Sequence, residues 1–126
     1  MIRLGTIAAA FISMTGVAIA DPCEAQLPEA GTEFGGPVTY IVDGDGLCVG
    51  ADMGGIEVRV ADFNAIELNQ PGGRDAKEVL RKIAFGKSVS CVAGKRSYDR
   101  TVAACYLDGR SLGDLMREAG VPEGGR

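Results

Sequence analysis

Val38-Thr39-Tyr40-Ile41-Val42, the turn Asp43-Gly44-Asp45-Gly46, then Leu47-Cys48-Val49 and, past a second turn at 51–55, Ile56-Glu57-Val58-Arg59-Val60: this stretch decides the fold. Its runs are rich in β-branched and aromatic residues and are separated by Asp/Gly clusters, so it spells three consecutive strands. The third alternates strictly. Ile56, Val58 and Val60 share one face, and Glu57 and Arg59 point the other way.

Downstream, Asn69–Gly73 is a breaker cluster, and the period then changes. Ala76, Val79, Leu80 and Ile83 recur at helical spacing, with Asp75 and Glu78 near the start and Arg81 and Lys82 near the end, where they suit the helix dipole. Gly86 stops this helix. Val89–Ala93 and Val102–Leu107 read as two further strands. Ser111 with Asp114 forms a capping-box-like start for a second helix carrying Leu112, Leu115, Met116 and Ala119, with Gly120 and Pro122 beyond it. Three strands, a helix, two strands and a helix predict a small closed barrel of the OB type with two packed helices.

Upstream, residues 1–20 are apolar with one charge, Arg3, and end in Ala18-Ile19-Ala20. This is the pattern of a signal peptide cleaved after Ala20; an uncleaved anchor is the alternative. Residues 21–37, rich in Gly, Pro and Glu, read as an extended lead-in, leaving 38–126 as the domain. Export to periplasm or medium, with no lasting membrane association, follows from the leader. All four cysteines, Cys23, Cys48, Cys91 and Cys105, lie after it, and an even count in a small exported domain predicts two disulfides. A metal site built from all four cysteines is the rival, but Cys-x-x-Cys spacing is absent. Of three possible pairings, Cys91–Cys105 joins consecutive strands and leaves Cys23–Cys48.

Composition narrows function. The 126 residues contain no His, which removes catalytic triads, imidazole bases and His-bound zinc. The formal charge of −4 argues against a generally basic nucleic-acid binder. The charge is unevenly spread, however: residues 21–73 are strongly acidic and 74–100 are basic.

Three polar features stand at turns or strand ends: Asp43-Gly44-Asp45, Arg59 with Glu67 eight residues on, and Tyr98-Asp99-Arg100 opening a strand. Each alone is an ordinary turn or solvated face. In this order and spacing, about a central helix, they resemble the staphylococcal-nuclease-like (thermonuclease) family over roughly residues 38–120. The closing Tyr106-Leu107-Asp108-Gly109 and Leu112–Gly120 are similar to that family's last strand and following helix.

The resemblance implies a five-stranded OB barrel, C-terminally shortened because no counterpart of a further helix follows. It implies calcium-dependent hydrolysis of DNA or RNA phosphodiesters. Arg59 and Arg100 would then stabilise the phosphoryl transition state, and Glu67 would activate water. Asp45, Asn64 and Ala65 would hold Ca2+, and Tyr98 would lie near the nucleotide. Calcium accepts carboxylate, amide and carbonyl oxygens, so this chemistry needs no His. Asn64 stands where the family usually has a second calcium-binding Asp, Gly46 where it has Thr or Ser, and Ile66 where it has Pro. The loop Leu68–Arg74 is short. The expectation is a monomeric nuclease; a nuclease-like barrel that binds nucleic acid or protein with little turnover is the alternative.

Overall fold

A computed structural model describes residues 22–124. The expected leader, residues 1–20, lies outside them. The elements run β1 (Glu33–Asp43), β2 (Gly46–Val49), a single 3-10 turn (Asp52–Gly54), β3 (Ile56–Val60), α1 (Gly73–Ala84), β4 (Ser88–Val92), β5 (Arg96–Ser97), β6 (Arg100–Leu107), β7 (Arg110–Ser111) and α2 (Leu112–Glu118). Strands β1, β2, β3, β6 and β4 close into a ring. The closing contact is the parallel pairing of β3 with β6, Val58 beside Thr101 and Val60 beside Ala103. This is the expected OB-type barrel with packed helices; β5 and β7 are two-residue additions to β6.

The lead-in is shorter than the sequence suggests. β1 starts at Glu33, not Val38, and its first half, Glu33–Pro37, pairs with β4 while Val38–Asp43 pairs with β2. Gly35, Gly36 and Pro37 hide this half from a propensity reading. The structure needs Gly35, because a Cβ there would lie 2.6 Å from the Val89 carbonyl oxygen. One strand thus bends across two sides of the barrel, with register irregularities after Val38 and Ile41.

Alternation sends Val58, Val60, Ala103 and Cys105 inward, where they meet Leu47 and Val49. Helix α1 packs on β1 and buries Ala76, Leu80 and Ala84, while Val79 and Ile83 of the expected stripe are half-buried. Helix α2 buries Leu112 and Met116, and the Asp114 N–H donates to Ser111 Oγ at 3.0 Å, the expected cap. Ala119 is exposed at the C-cap rather than part of the buried face. Both expected disulfides are present, Cys23–Cys48 and Cys91–Cys105. The first ties the N-terminal segment to β2, and Glu24 and Ala25 also donate to the Met53 and Gly55 carbonyls in the turn that follows β2. No helix among the described residues is long and apolar enough to cross a membrane.

Candidate active site

The site grows from the β1–β2 turn and the loop after β3. In the turn, Asp43 Oδ1 accepts the Asp45 N–H at 3.1 Å, the local bond that Asp favours in turns. Asp45 is then pinned twice from afar. Its carbonyl accepts the Val60 N–H at 2.7 Å, and its Oδ2 accepts the Ala65 N–H at 2.8 Å. Gly44 allows this close approach, since a Cβ there would lie 2.7 Å from the Ala65 Cβ and 2.8 Å from the Ala76 Cβ.

Asp45 is only 7 % exposed. Burial raises its pKa to about 6; the Ala65 N–H opposes the rise, Asp43 adds to it, and Arg59 opposes it more weakly. A carboxylate kept from water and poised near neutrality gains much from an added cation.

Arg59, on the outer face of β3, turns along the loop. Its Nη1 donates to the Val60 carbonyl and, at 2.8 Å, to the Phe63 carbonyl. Its Nη2 donates to Asn64 Oδ1 at 2.9 Å and faces Asp45 Oδ2 at 3.4 Å. Two side-chain oxygens therefore converge on one cationic nitrogen. The structure brings Asp45, Arg59, Asn64 and Ala65 into one constellation.

Glu67 follows on the same loop. It is exposed and lines a cavity of about 310 Å³ with Asn64, Ala65, Gln70 and Gly124. Gly73 sits so close beneath this loop that a Cβ there would clash with the Glu67 carbonyl oxygen. Helix α1 therefore begins directly under the loop and backs it.

Arg100 is half-buried at the head of β6. Arg59 lies beside Val102 in the parallel register, and Arg100 is two residues before Val102, so both arginines occupy the outer face of adjacent strands. Among the described residues no ion pair engages Arg100. Tyr98 stands apart, 95 % exposed on the β5–β6 turn. Its φ of +61° lies in the left-handed region that bulky residues seldom adopt.

Sequence reasoning missed three contributors. Arg117 of α2 donates to the Asp62 carbonyl at 2.9 Å and lies 5.9 Å from the centroid of the Phe63 ring. Glu123 Oε1 accepts the Asn64 N–H at 3.2 Å, and the Gly124 carbonyl accepts from Asn64 Nδ2 at 2.9 Å. These contacts span 55 to 60 residues, and no local spacing signals them.

No protein-family model matches the chain. The chain is similar to a protein of Haemophilus influenzae named "Uncharacterized endonuclease", 33 % identical over 86 residues. The match takes in 67 % of this chain and 48 % of that protein, so the chain spans about half the length of the curated relative.

Proposed function

We propose that the protein is an exported, calcium-dependent nuclease of the staphylococcal-nuclease-like kind, hydrolysing phosphodiester bonds of DNA or RNA. The observation that carries the reading is the convergence of Asp45 Oδ2 and Asn64 Oδ1 on Arg59 Nη2, with Arg100 on the neighbouring strand of the same face. The endonuclease name of the relative supports it in kind.

The donors suit a hard cation. Among the described residues no three acidic, His or Cys side chains cluster to hold a metal by themselves. Asp45, the Asn64 amide oxygen and the Ala65 carbonyl offer oxygen alone, which with water suits calcium and not zinc. Bound there, calcium would supply Lewis-acid polarisation of a phosphoryl oxygen.

The chain's own groups do the rest. The planar guanidiniums of Arg59 and Arg100 donate paired hydrogen bonds to phosphate oxygens and favour the charge that builds on them. Glu67, exposed beside the cavity, accepts a proton from the attacking water. Tyr98 offers its ring to a nucleotide next to Arg100. Two disulfides suit an oxidising compartment, and the apolar leader suits export to it, with the monomer as the working form.

Purified, oxidised protein lacking residues 1–20 is expected to cleave single-stranded DNA or RNA at millimolar calcium and to stop in EDTA. No cleavage under those conditions would sink the proposal. A second reading draws on Arg59, whose guanidinium already serves two carbonyls, one amide oxygen and one carboxylate. If those bonds hold Arg59 against a phosphate, the barrel binds oligonucleotide without turnover, and Glu67→Gln leaves binding unchanged.

A further inference from the structure

The Asn64 side chain is an amide with two unlike ends. One end meets Arg59 Nη2 and the other meets the Gly124 carbonyl oxygen, each at 2.9 Å. A guanidinium only donates and a carbonyl only accepts, so oxygen must face Arg59 and nitrogen must face Gly124. The two partners together decide which way the amide points.

The segment that delivers Gly124 is itself held. Its N–H donates to the Asn64 carbonyl at 2.7 Å, so residues 64 and 124 exchange backbone and side-chain bonds. Glu123 bridges the Asn64 N–H, at 3.2 Å, and Arg117 Nη1, at 3.3 Å. The same Arg117 guanidinium holds the Asp62 carbonyl and is fixed on α2 by Asp114 Oδ1 at 3.0 Å. A Cβ at position 124 would lie 2.8 Å from the Ala65 carbonyl oxygen, so the close fit requires glycine.

We propose that residues 121–124 form a strap, clamped by Arg117 and Glu123, which turns the Asn64 amide oxygen toward the Asp45–Arg59 pair. Arg117, Glu123 and Gly124 are thus positioning residues of the site. Without the strap the amide can rotate by half a turn. That would set N–H donors against guanidinium donors and point the positive end of the amide dipole at the place where two oxygens converge. The catalytic consequence rests on the nuclease reading; the orientation of Asn64 does not.

The test follows exchange of side-chain amide protons with solvent by NMR, on the full chain without its leader. The spectrum is simple, because the asparagines are Asn64 and Asn69 and the glutamines Gln26 and Gln70. In the wild type, Asn64 should exchange at least about tenfold more slowly than exposed Asn69. Gly124→Ala, which wedges the strap off Ala65, and Arg117→Met, which removes the clamp, should each bring Asn64 to the Asn69 rate. Thermal melts confirm that both variants fold. An Asn64 amide that exchanges as fast as Asn69 in the wild type, or stays slow in both folded variants, overturns the strap. In cleavage assays both variants should lower kcat about tenfold with KM little changed; unchanged kcat with a fast-exchanging amide refutes the positioning role. If the wild type cleaves nothing, the nuclease reading falls, and amide exchange alone decides the strap.

Discussion

The Asp45 carboxylate accepts the Ala65 N–H at 2.8 Å across 20 residues of sequence, and this bond joins the β1–β2 turn to the loop that carries Asn64 and Glu67. It keeps Asp45 buried, sets Oδ2 beside Arg59 and fixes where the loop leaves β3.

That burial predicts a pH dependence. The pKa of Asp45 is raised from 3.8 to about 6, chiefly by desolvation. The folded state therefore holds the proton more tightly than the unfolded chain. The stability Asp45 contributes is full below 3.8, is lost as pH rises toward about 6, and is level above that. Asp45→Asn keeps an oxygen for the Ala65 N–H but does not titrate. In EDTA, thermal melts should show the wild type losing ground to Asp45→Asn across this window; a constant gap, or one that narrows, contradicts the assignment. Calcium should restore the wild type above pH 6 and not the variant.

Activity should separate from stability at Glu67 and Arg100. Glu67→Gln and Arg100→Ala are each expected to lower kcat by about 10²–10³-fold. Glu67 is exposed on its loop and Arg100 makes no ion pair among the described residues, so melting temperatures should hardly move. Loss of activity accompanied by a large drop in melting temperature would assign these residues to structure instead.

Gly44→Ala tests the close approach of turn and loop. Its Cβ would press on the Ala65 and Ala76 side chains, at 2.7 and 2.8 Å. We expect a loss of about 1–3 kcal/mol in denaturant unfolding, the usual cost of overpacking, together with weaker calcium binding by calorimetry. A variant of unchanged stability would mean that the turn relaxes freely and does not position Asp45.

The Cys23–Cys48 bridge closes 25 residues and holds the N-terminal segment on β2. Replacing both cysteines by serine should cost about 2–4 kcal/mol. Hydrogen exchange should then rise at Glu24 and Ala25, whose amides donate to Met53 and Gly55. If only the global stability falls and these amides stay protected, backbone bonds rather than the disulfide hold the segment.

Much of the barrel was legible because its signals are local. Alternation in Ile56–Val60 set the inward face, the Asp/Gly clusters marked turns, and Ser111 with Asp114 marked the second helix. Of three possible pairings, consecutive strands favoured Cys91–Cys105, and the β4–β6 register sets these two residues opposite each other. The first half of β1 was not legible. Gly35, Gly36 and Pro37 are poor strand formers, and only pairing with β4 makes them a strand. The candidate site divides in the same way. The spacing of Arg59 and Glu67 could be read directly, while Asn64 and Ala65 between them came only with the family resemblance; Arg117, Glu123 and Gly124 reach the same loop, at Asp62 and Asn64, across 55 to 60 residues.

By itself, then, the sequence determined the order of the main strands and helices, the absence of imidazole chemistry, an even set of four cysteines and the residue types of the proposed site. Periodicity, turn preference and side-chain chemistry are properties of short stretches of chain. Only the tertiary structure decided that Asp45 is buried, that its carboxylate and the Asn64 amide oxygen converge on Arg59, and which end of that amide faces inward. Burial and hydrogen-bond direction depend on what closes over a group, and here that is an amide 20 residues away and a carbonyl 60 residues away.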